Sequence, residues 1–238
     1  MDTGNALRAG SNISMGKDKL RKFAAIRTFD NVYSSKNFTE SLVINSKEEA
    51  LDIRGKWGQH FQNEQPLLLE LACGKGHYAR GLGQRYPQKN FVGIDLKGNR
   101  IWKGASEALE NNETNVAFLR ARIEFLERYF GVEEVDEIWI TFADPQLKKE
   151  RKRLTHARFL AIYKNILKKD GVVHLKTDST ELYDYTLEVL AEEGITPIYQ
   201  SDDIYAAELY TPDLSIQTYY EELNLAKGKT IKYVKFIL

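Results

Sequence analysis

LLLELACGKGHYA, Leu67 to Ala79, begins as a continuous apolar run holding one acid, Glu70, and continues into a turn of small residues that opens a helix. Unbroken apolar runs suit strands buried on both faces, the situation in parallel sheets. The helix predicted after the turn runs to Tyr86 and is stopped by Pro87. Further strands are predicted at NFVGIDL (Asn90 to Leu96), NVAFLRA (Asn115 to Ala121), VDEIWITF (Val135 to Phe142) and GVVHLKT (Gly171 to Thr177), and the alternating tail TIKYVKFIL (Thr230 to Leu238) reads as a last one. Between them, a helix capped by Asn99 carries Ile101, Trp102, Ala105, Ala108 and Leu109 on its apolar side. A second, capped by Thr155, carries Phe159, Ile162, Tyr163, Ile166 and Leu167 and ends at Asp170-Gly171. A third spans Leu182 to Leu190. Strand and helix alternate throughout, so the fold class is α/β with a mostly parallel sheet. Ligands of such sheets sit beyond the carboxyl ends of the strands. That rule selects Glu70 to Gly76, Asp95, Arg122, Asp144 and Asp178.

The 238 residues are 42% hydrophobic and 29% charged, ordinary for a globular protein with a sizeable core. No apolar run is long enough to span a bilayer, and the first twenty residues lack the apolar core of a secretory signal. The single cysteine, Cys73, rules out an intrachain disulfide and suits a reducing cytoplasm. Residues 1–14 read as a disordered or vector-derived leader with Met15 as the natural start. Residues 15–65 read as a basic, polar, partly helical extension, and residues 66–238 as the catalytic domain. Formal net charge is zero, but Lys17 to Arg27 carries five basic residues and one acid. Such clusters on a neutral body point to a defined anionic partner or to a solvated face.

Gly74 and Gly76 let a ligand approach the backbone, and the helix amino terminus adds a positive dipole end. Asp95, at the end of the next strand, is placed to accept hydrogen bonds from two ribose hydroxyls. Gly74-x-Gly76-x-x-Ala79 formally fits a dinucleotide pattern, but Glu70 would repel a pyrophosphate. It suits instead a cationic ligand such as S-adenosylmethionine, with its sulfonium and ammonium.

TFADPQLKKERKR, Thr141 to Arg153, brings Asp144-Pro145 to a strand end and follows it with Lys148, Lys149, Arg151, Lys152 and Arg153. Asp-Pro is also a common turn opener; with the basic run behind it, positive charge would dock a phosphate backbone and one carboxylate could grip a base edge. Guanine, through N1–H and its exocyclic amine, offers two donors to a carboxylate.

ELACGKG, FVGID, TFADPQLKKERKR, FLAIYKNILKKDGVVHLKTD and TYYEELNLAKGKTIKYVKF, in this order from about Leu67 to Leu238, resemble the bacterial tRNA (guanine-N7-)-methyltransferases (the TrmB family). The resemblance implies a class I S-adenosylmethionine-dependent methyltransferase fold, Rossmann-like, with a mostly parallel seven-stranded sheet and helices on both faces. It implies S-adenosylmethionine as donor and N7 of the variable-loop guanosine, tRNA position 46, as target. Family roles then fall on Glu70, Gly74, Gly76, Asp95, Arg122 and Ile123 for the cofactor, and on Asp144 for catalysis. Lys148, Asp178, Thr218, Tyr219, Tyr220 and Glu221 are implied for the substrate. Three positions depart from the family pattern. Ala72 replaces a glycine, which a negative φ would accommodate; Gln146 replaces a tryptophan after Asp144-Pro145; and Arg122 stands where an acid is usual.

N7 of guanine carries a lone pair and no proton, so Asp144 is expected to orient the base and stabilise positive charge rather than act as a base. Lys148 is either a phosphate or ribose contact or an ordinary solvated lysine. Asp178-Ser-Thr-Glu181 also reads as a capping box. Tyr219 and Tyr220 either stack on the base or pack. His60, His77, His156 and His174 show no metal-ligand spacing and are expected in packing or at the surface, and Cys73 is expected as a small residue in a tight bend. The resemblance leaves monomer or homodimer open. Alternatives are an inactive RNA-binding methyltransferase fold and a methyltransferase for another acceptor.

Overall fold

The computed structural model describes residues 18–37, 40–207 and 211–238; the expected leader, residues 1–14, lies outside the described residues. One sheet organises the chain. Its central six strands are parallel: β1 (Val32–Ser35), β4 (Leu67–Leu71), β5 (Asn90–Asp95), β6 (Val116–Arg120), β7 (Val135–Thr141) and β8 (Leu167–Thr177). Antiparallel strands finish both sides: β2 (Leu42–Ile44) and β3 (Ala50–Asp52) beyond β1, and β10 (Lys232–Ile237) and β9 (Tyr199–Ser201) beyond β8. The full order is β3-β2-β1-β6-β5-β4-β7-β8-β10-β9.

The expected seven strands are present as the run from β6 to β9. The sheet nevertheless has ten strands, because residues 32–52, expected as part of an extension, add three more. That segment shares the main core: Tyr33 and Val43, with Ile53, Trp57 and Phe61 just after it, join the cluster that holds Leu67, Leu69 and Leu71. The opposite face of β4 places Leu68 in a second cluster with Tyr78, Leu82, Phe91 and Phe118. This double burial is why the run at Leu67 shows no polar alternation.

Helices α1 (residues 18–25), α3 (His77–Arg85) and α4 (Gly98–Glu110) cover one face; α2 (Trp57–Phe61), α5 (Ala157–Ile166) and α6 (Thr180–Glu192) cover the other. A last helix, α7 (Tyr219–Leu225), lies near the carboxyl edge.

Three expected caps are filled differently. Lys97, not Asn99, precedes α4, with no side-chain cap. His156 caps α5 by accepting from the Arg158 N–H, while the Thr155 hydroxyl is bonded to Thr186 at 2.7 Å. Ser179 caps α6, and Asp178 instead pairs with Lys229 at 2.6 Å. Leu167, expected on the α5 stripe, is the first residue of β8.

Candidate active site

At the carboxyl edge, β4 runs into a turn in which Ala72, Gly74 and Gly76 all have positive φ, at 55°, 56° and 67°. Glycine adopts this region freely. An alanine there costs about 1 kcal/mol, so the negative φ expected at Ala72 is overturned. The turn is stitched down by Cys73 N–H to the Ile94 carbonyl (3.0 Å) and Gly76 N–H to the Cys73 carbonyl (2.8 Å). Helix α4 crosses close behind it. A Cβ at Gly104 would lie 2.1 Å from the Lys75 carbonyl oxygen, so only glycine permits this approach. An isolated glycine in an amphipathic helix, as at Gly104, is the sequence signal of such an approach.

Two carboxylates border the turn. Asp95 ends β5 and accepts the Gly74 N–H at 3.0 Å and the Lys97 N–H at 2.8 Å, one on each oxygen. Each oxygen keeps a lone pair for a further donor. Glu70 lies inside β4 and is only 3% exposed; it accepts the Ala79 N–H (2.8 Å) and the Thr141 hydroxyl (3.0 Å). Burial raises its carboxyl to about 7, although those two donors pull the other way. A buried carboxyl poised near neutrality in a cleft is an acceptor that a cationic ligand would ionise.

The third wall follows β7. Phe142 has φ 49°, a strained setting for an aromatic residue, and turns the chain so that Ala143 and Asp144 reach the cleft. Asp144 is exposed, and its carboxylate accepts the Gln146 N–H at 2.9 Å. The basic run behind it is not uniform. Lys148, Lys149, Arg151 and Lys152 are exposed, whereas Arg153 is 6% exposed, stacks over Tyr185 and donates to the Pro145 carbonyl at 3.1 Å. Arg153 therefore braces the Asp144-Pro145 bend from within and is withdrawn from the expected docking surface.

The fourth wall is the start of α7. Thr218 and Glu221 form a reciprocal capping box, and Thr218 and Tyr220 line the cleft. Glu221, expected to touch substrate, is 0% exposed and salt-bridged to the equally buried Lys176 at 2.6 Å. Lys176 also donates to the carbonyls of Leu214 (2.8 Å) and Ile216 (3.2 Å). Burial lowers the Lys176 ammonium to about 8 despite the opposing pull of Glu221. The pair holds the segment from Leu214 to Glu221 against β8 and so sets where Thr218 and Tyr220 sit.

Together these walls enclose a cavity of about 360 Å³. Of the expected residues it is lined by Glu70, Gly74, Asp95, Asp144, Thr218 and Tyr220. Gly76 starts α3 just behind it. Arg122 and Ile123 follow β6 outside the lining, with Ile123 packed against the core. Tyr219 stands against the Lys75 ammonium, 4.6 Å from ring centroid to nitrogen, and edge-on to Tyr220. Asp178 borders a neighbouring open depression with Pro145, Leu147 and Lys229. Lys148 is exposed and lines neither.

Lys75, inside the selected turn, lines the cavity, as do residues that the sequence had not singled out for the site: His77, Lys97, Arg100, Thr141 and Phe142. His77 was expected in packing or at the surface; it opens α3 at the cavity wall, and burial lowers its pKa. The other histidines are structural. His60 meets the Tyr33 hydroxyl at 2.7 Å, His156 is a cap, and His174 stacks on Trp139. Cys73 is buried in the bend, where desolvation holds its thiol protonated.

Comparisons with known proteins bear on the family and the fold. A family model described as a putative methyltransferase matches residues 64–234. The chain is 45% identical over 225 residues to the tRNA (guanine-N(7)-)-methyltransferase of Bacteroides thetaiotaomicron, covering 94% of this chain and 87% of that one. It is 47% identical over 225 residues to the enzyme of the same name from Christiangramia forsetii, covering 92% and 97%. Among solved structures, the 16S rRNA methyltransferase KamB superposes with a TM-score of 0.61 at 12% identity, over 80% of this chain and 96% of that one. The 30S ribosomal A1408 methyltransferase from an uncultured bacterium gives 0.54 at 16% identity, over 77% and 97%. At these identities the two structures speak for the fold alone.

Proposed function

The chain belongs to the tRNA (guanine-N(7)-)-methyltransferase family, and from that premise we propose that it methylates N7 of the variable-loop guanosine of tRNA with S-adenosylmethionine as donor. One observation carries the reading: Glu70, Asp95 and Asp144, delivered by three different strand ends, line a single cavity behind a glycine turn.

The cavity fits the donor. Glu70, buried and held near neutrality, is matched to an ammonium group, and the free lone pairs of Asp95 are matched to two ribose hydroxyls. Gly74 leaves room for the ligand against the backbone. When bound, S-adenosylmethionine supplies an electrophilic methyl group. The protein's own task is to bring N7 to it. Asp144 accepts hydrogen bonds from the N1–H and exocyclic amine of guanine, fixing the base by the edge that distinguishes it from adenine. N7 has no proton to lose, so no side chain needs to take one. The methylated ring is cationic, and the Asp144 carboxylate, fixed by the Gln146 N–H and by the bend that Arg153 braces, stabilises that charge. Thr218 and Tyr220 close the cavity on the acceptor side, and Lys148, Lys149, Arg151 and Lys152 contact tRNA phosphates. A tRNA substrate and a single buried cysteine support a cytoplasmic location for the reaction.

The test is transfer of labelled methyl groups from S-adenosylmethionine to unmodified tRNA transcripts, beside a transcript with adenosine at the variable-loop position. Label on the guanosine transcript alone, reduced about 10²-fold or more in kcat by Asp144→Ala with cofactor affinity retained, is the expected result. Equal labelling of both transcripts would overturn the assignment of the acceptor.

A further inference from the structure

A second cavity, of about 260 Å³, opens where β1 and β6 end, on the same edge of the sheet as the active site. Its lining includes Arg27, Ser34, Lys36, Glu48 and Arg120, over a floor containing Phe23 and Ile26. The register explains the gathering. Ser34 is opposite Arg120, and Arg120 is opposite Asp95 on its other side, so the cavity adjoins the ribose-binding strand end.

Its charges are unbalanced. The guanidinium of Arg120 lies 4.6 Å and that of Arg27 5.7 Å from the same Phe23 ring. The Nε of Arg120 is buried and has no hydrogen-bond partner. Among the described residues neither arginine forms an ion pair; Glu48 lines the cavity but bridges to neither, and Lys36 has only Glu40, at 3.8 Å. Burial, and then the charge of Arg27, lowers the Arg120 pKa. Two guanidinium groups brought together without an ion-pair partner cost free energy, and an unmet buried donor adds to the cost. An anion of several oxygens would meet both requirements, and arginine's fork suits a phosphate above all.

We propose that Arg27, Lys36 and Arg120 form a phosphate-binding site that holds the backbone of the tRNA on the side of the active site away from Lys148–Lys152. The inference rests on the tRNA reading above. It follows from position as well as charge. Between β1 and β7 there are four strand steps of about 4.8 Å, so the notch stands roughly 19 Å from the Asp144 strand. An RNA segment crossing the acid-lined cavity would then be gripped by cations on both flanks. The acids in between touch its base and the cofactor. This arrangement gives residues 18–52 a part in binding that their short strands alone do not reveal.

Fluorescence anisotropy with a labelled tRNA transcript tests the site on the full-length protein. Arg27→Ala lies at an exposed position, and Arg120→Met keeps an apolar stem against Phe23. Each is expected to raise the tRNA Kd about fivefold near 0.1 M salt and to lower the slope of log K against log salt by about 1. Lys164→Ala, an exposed cation on α5, should leave both within twofold, and all variants should keep the wild-type affinity for S-adenosylhomocysteine. If Arg120→Met does not fold, Arg27→Ala decides alone. An unchanged Kd and slope in Arg27→Ala overturns the site. So does thermal stabilisation of the wild type by millimolar inorganic phosphate that vanishes in Arg27→Ala while tRNA affinity stays constant, since that marks a site for free anions. Failure of the wild type to methylate tRNA while it still binds tRNA through Arg27 would count against the function and leave the phosphate site standing.

Discussion

Replacing Lys176 by Met removes one partner of an ion pair whose two side chains are both 0% exposed, together with donors to two carbonyls. Leaving a carboxylate buried and unpaired typically costs about 3–5 kcal/mol. Charged in full to global unfolding, that is a large part of the 5–15 kcal/mol that holds a domain together. It corresponds to a fall in Tm of roughly 6–20 °C for a chain of this size. A cheaper escape exists. The segment from Leu214 to Glu221 can leave β8, letting Glu221 reach water while the sheet stays intact. The expected signature is therefore a fall in Tm smaller than that range, faster hydrogen exchange confined to residues 214–225, and a tenfold or greater loss of kcat/KM for tRNA, because Thr218 and Tyr220 leave the cavity wall. Lys176→Met combined with Glu221→Gln should regain much of the loss, since glutamine still serves a capping box and no charge remains buried. A Lys176→Met protein with Tm within 2 °C of wild type, unchanged exchange and full activity would refute the reasoning.

Glu70 supplies a pH test. Its folded pKa, about 7, lies above its unfolded value of 4.5, so its contribution to stability is fully present below pH 4.5 and is lost as pH rises through 7. Unliganded protein should lose up to about 3 kcal/mol between pH 5 and 8 from this group. A bound ammonium reverses the preference, so calorimetric titration with S-adenosylhomocysteine at pH 6.5, in buffers of different ionisation enthalpy, should show net proton release on binding; no release would separate Glu70 from the cofactor. Ala72→Gly removes an alanine at φ 55° and should raise stability by up to about 1 kcal/mol, seen as a Tm increase of 2–4 °C. Gly104→Ala puts a methyl group against the Lys75 carbonyl and should weaken S-adenosylhomocysteine binding at least tenfold by displacing the glycine turn, a loss readable by calorimetry.

The central strands were legible because each carries its own signal. Leu67–Leu71 and Asn90–Asp95 are buried along their whole length, and short apolar runs of this kind, each followed by turn residues and a helical pattern, suit a parallel sheet core. VYSS, LVI and ALD were not legible as strands. They are three or four residues long, and what makes them strands is the free edge of β6, which belongs to a part of the chain more than sixty residues away. The caps failed for a related reason. Thr155 and Asp178 have the right chemistry, but Thr186 and Lys229 claim them first. Glu221 shows the same limit within the site. Its capping role is local and could be read from Thr218, while its burial depends on Lys176, 45 residues earlier. Asp95 and Asp144 could be found because strand-end position alone is enough to bring them to the cavity.

The pairing of β1 with β6 has a consequence for how the chain is made. Val32 meets Phe118, so at synthesis rates of 5–20 residues per second the first strand leaves the ribosome about 4–17 s before its partner exists. During that interval residues 32–52 can form only their own short antiparallel meander, which is marginal in water. When β6 does emerge it presents an open parallel edge, and the waiting strands are already tethered nearby to cover it. Deleting residues 1–52 would remove that cover and leave the edge of β6 unpaired in every new molecule, which is the geometry from which sheet proteins aggregate.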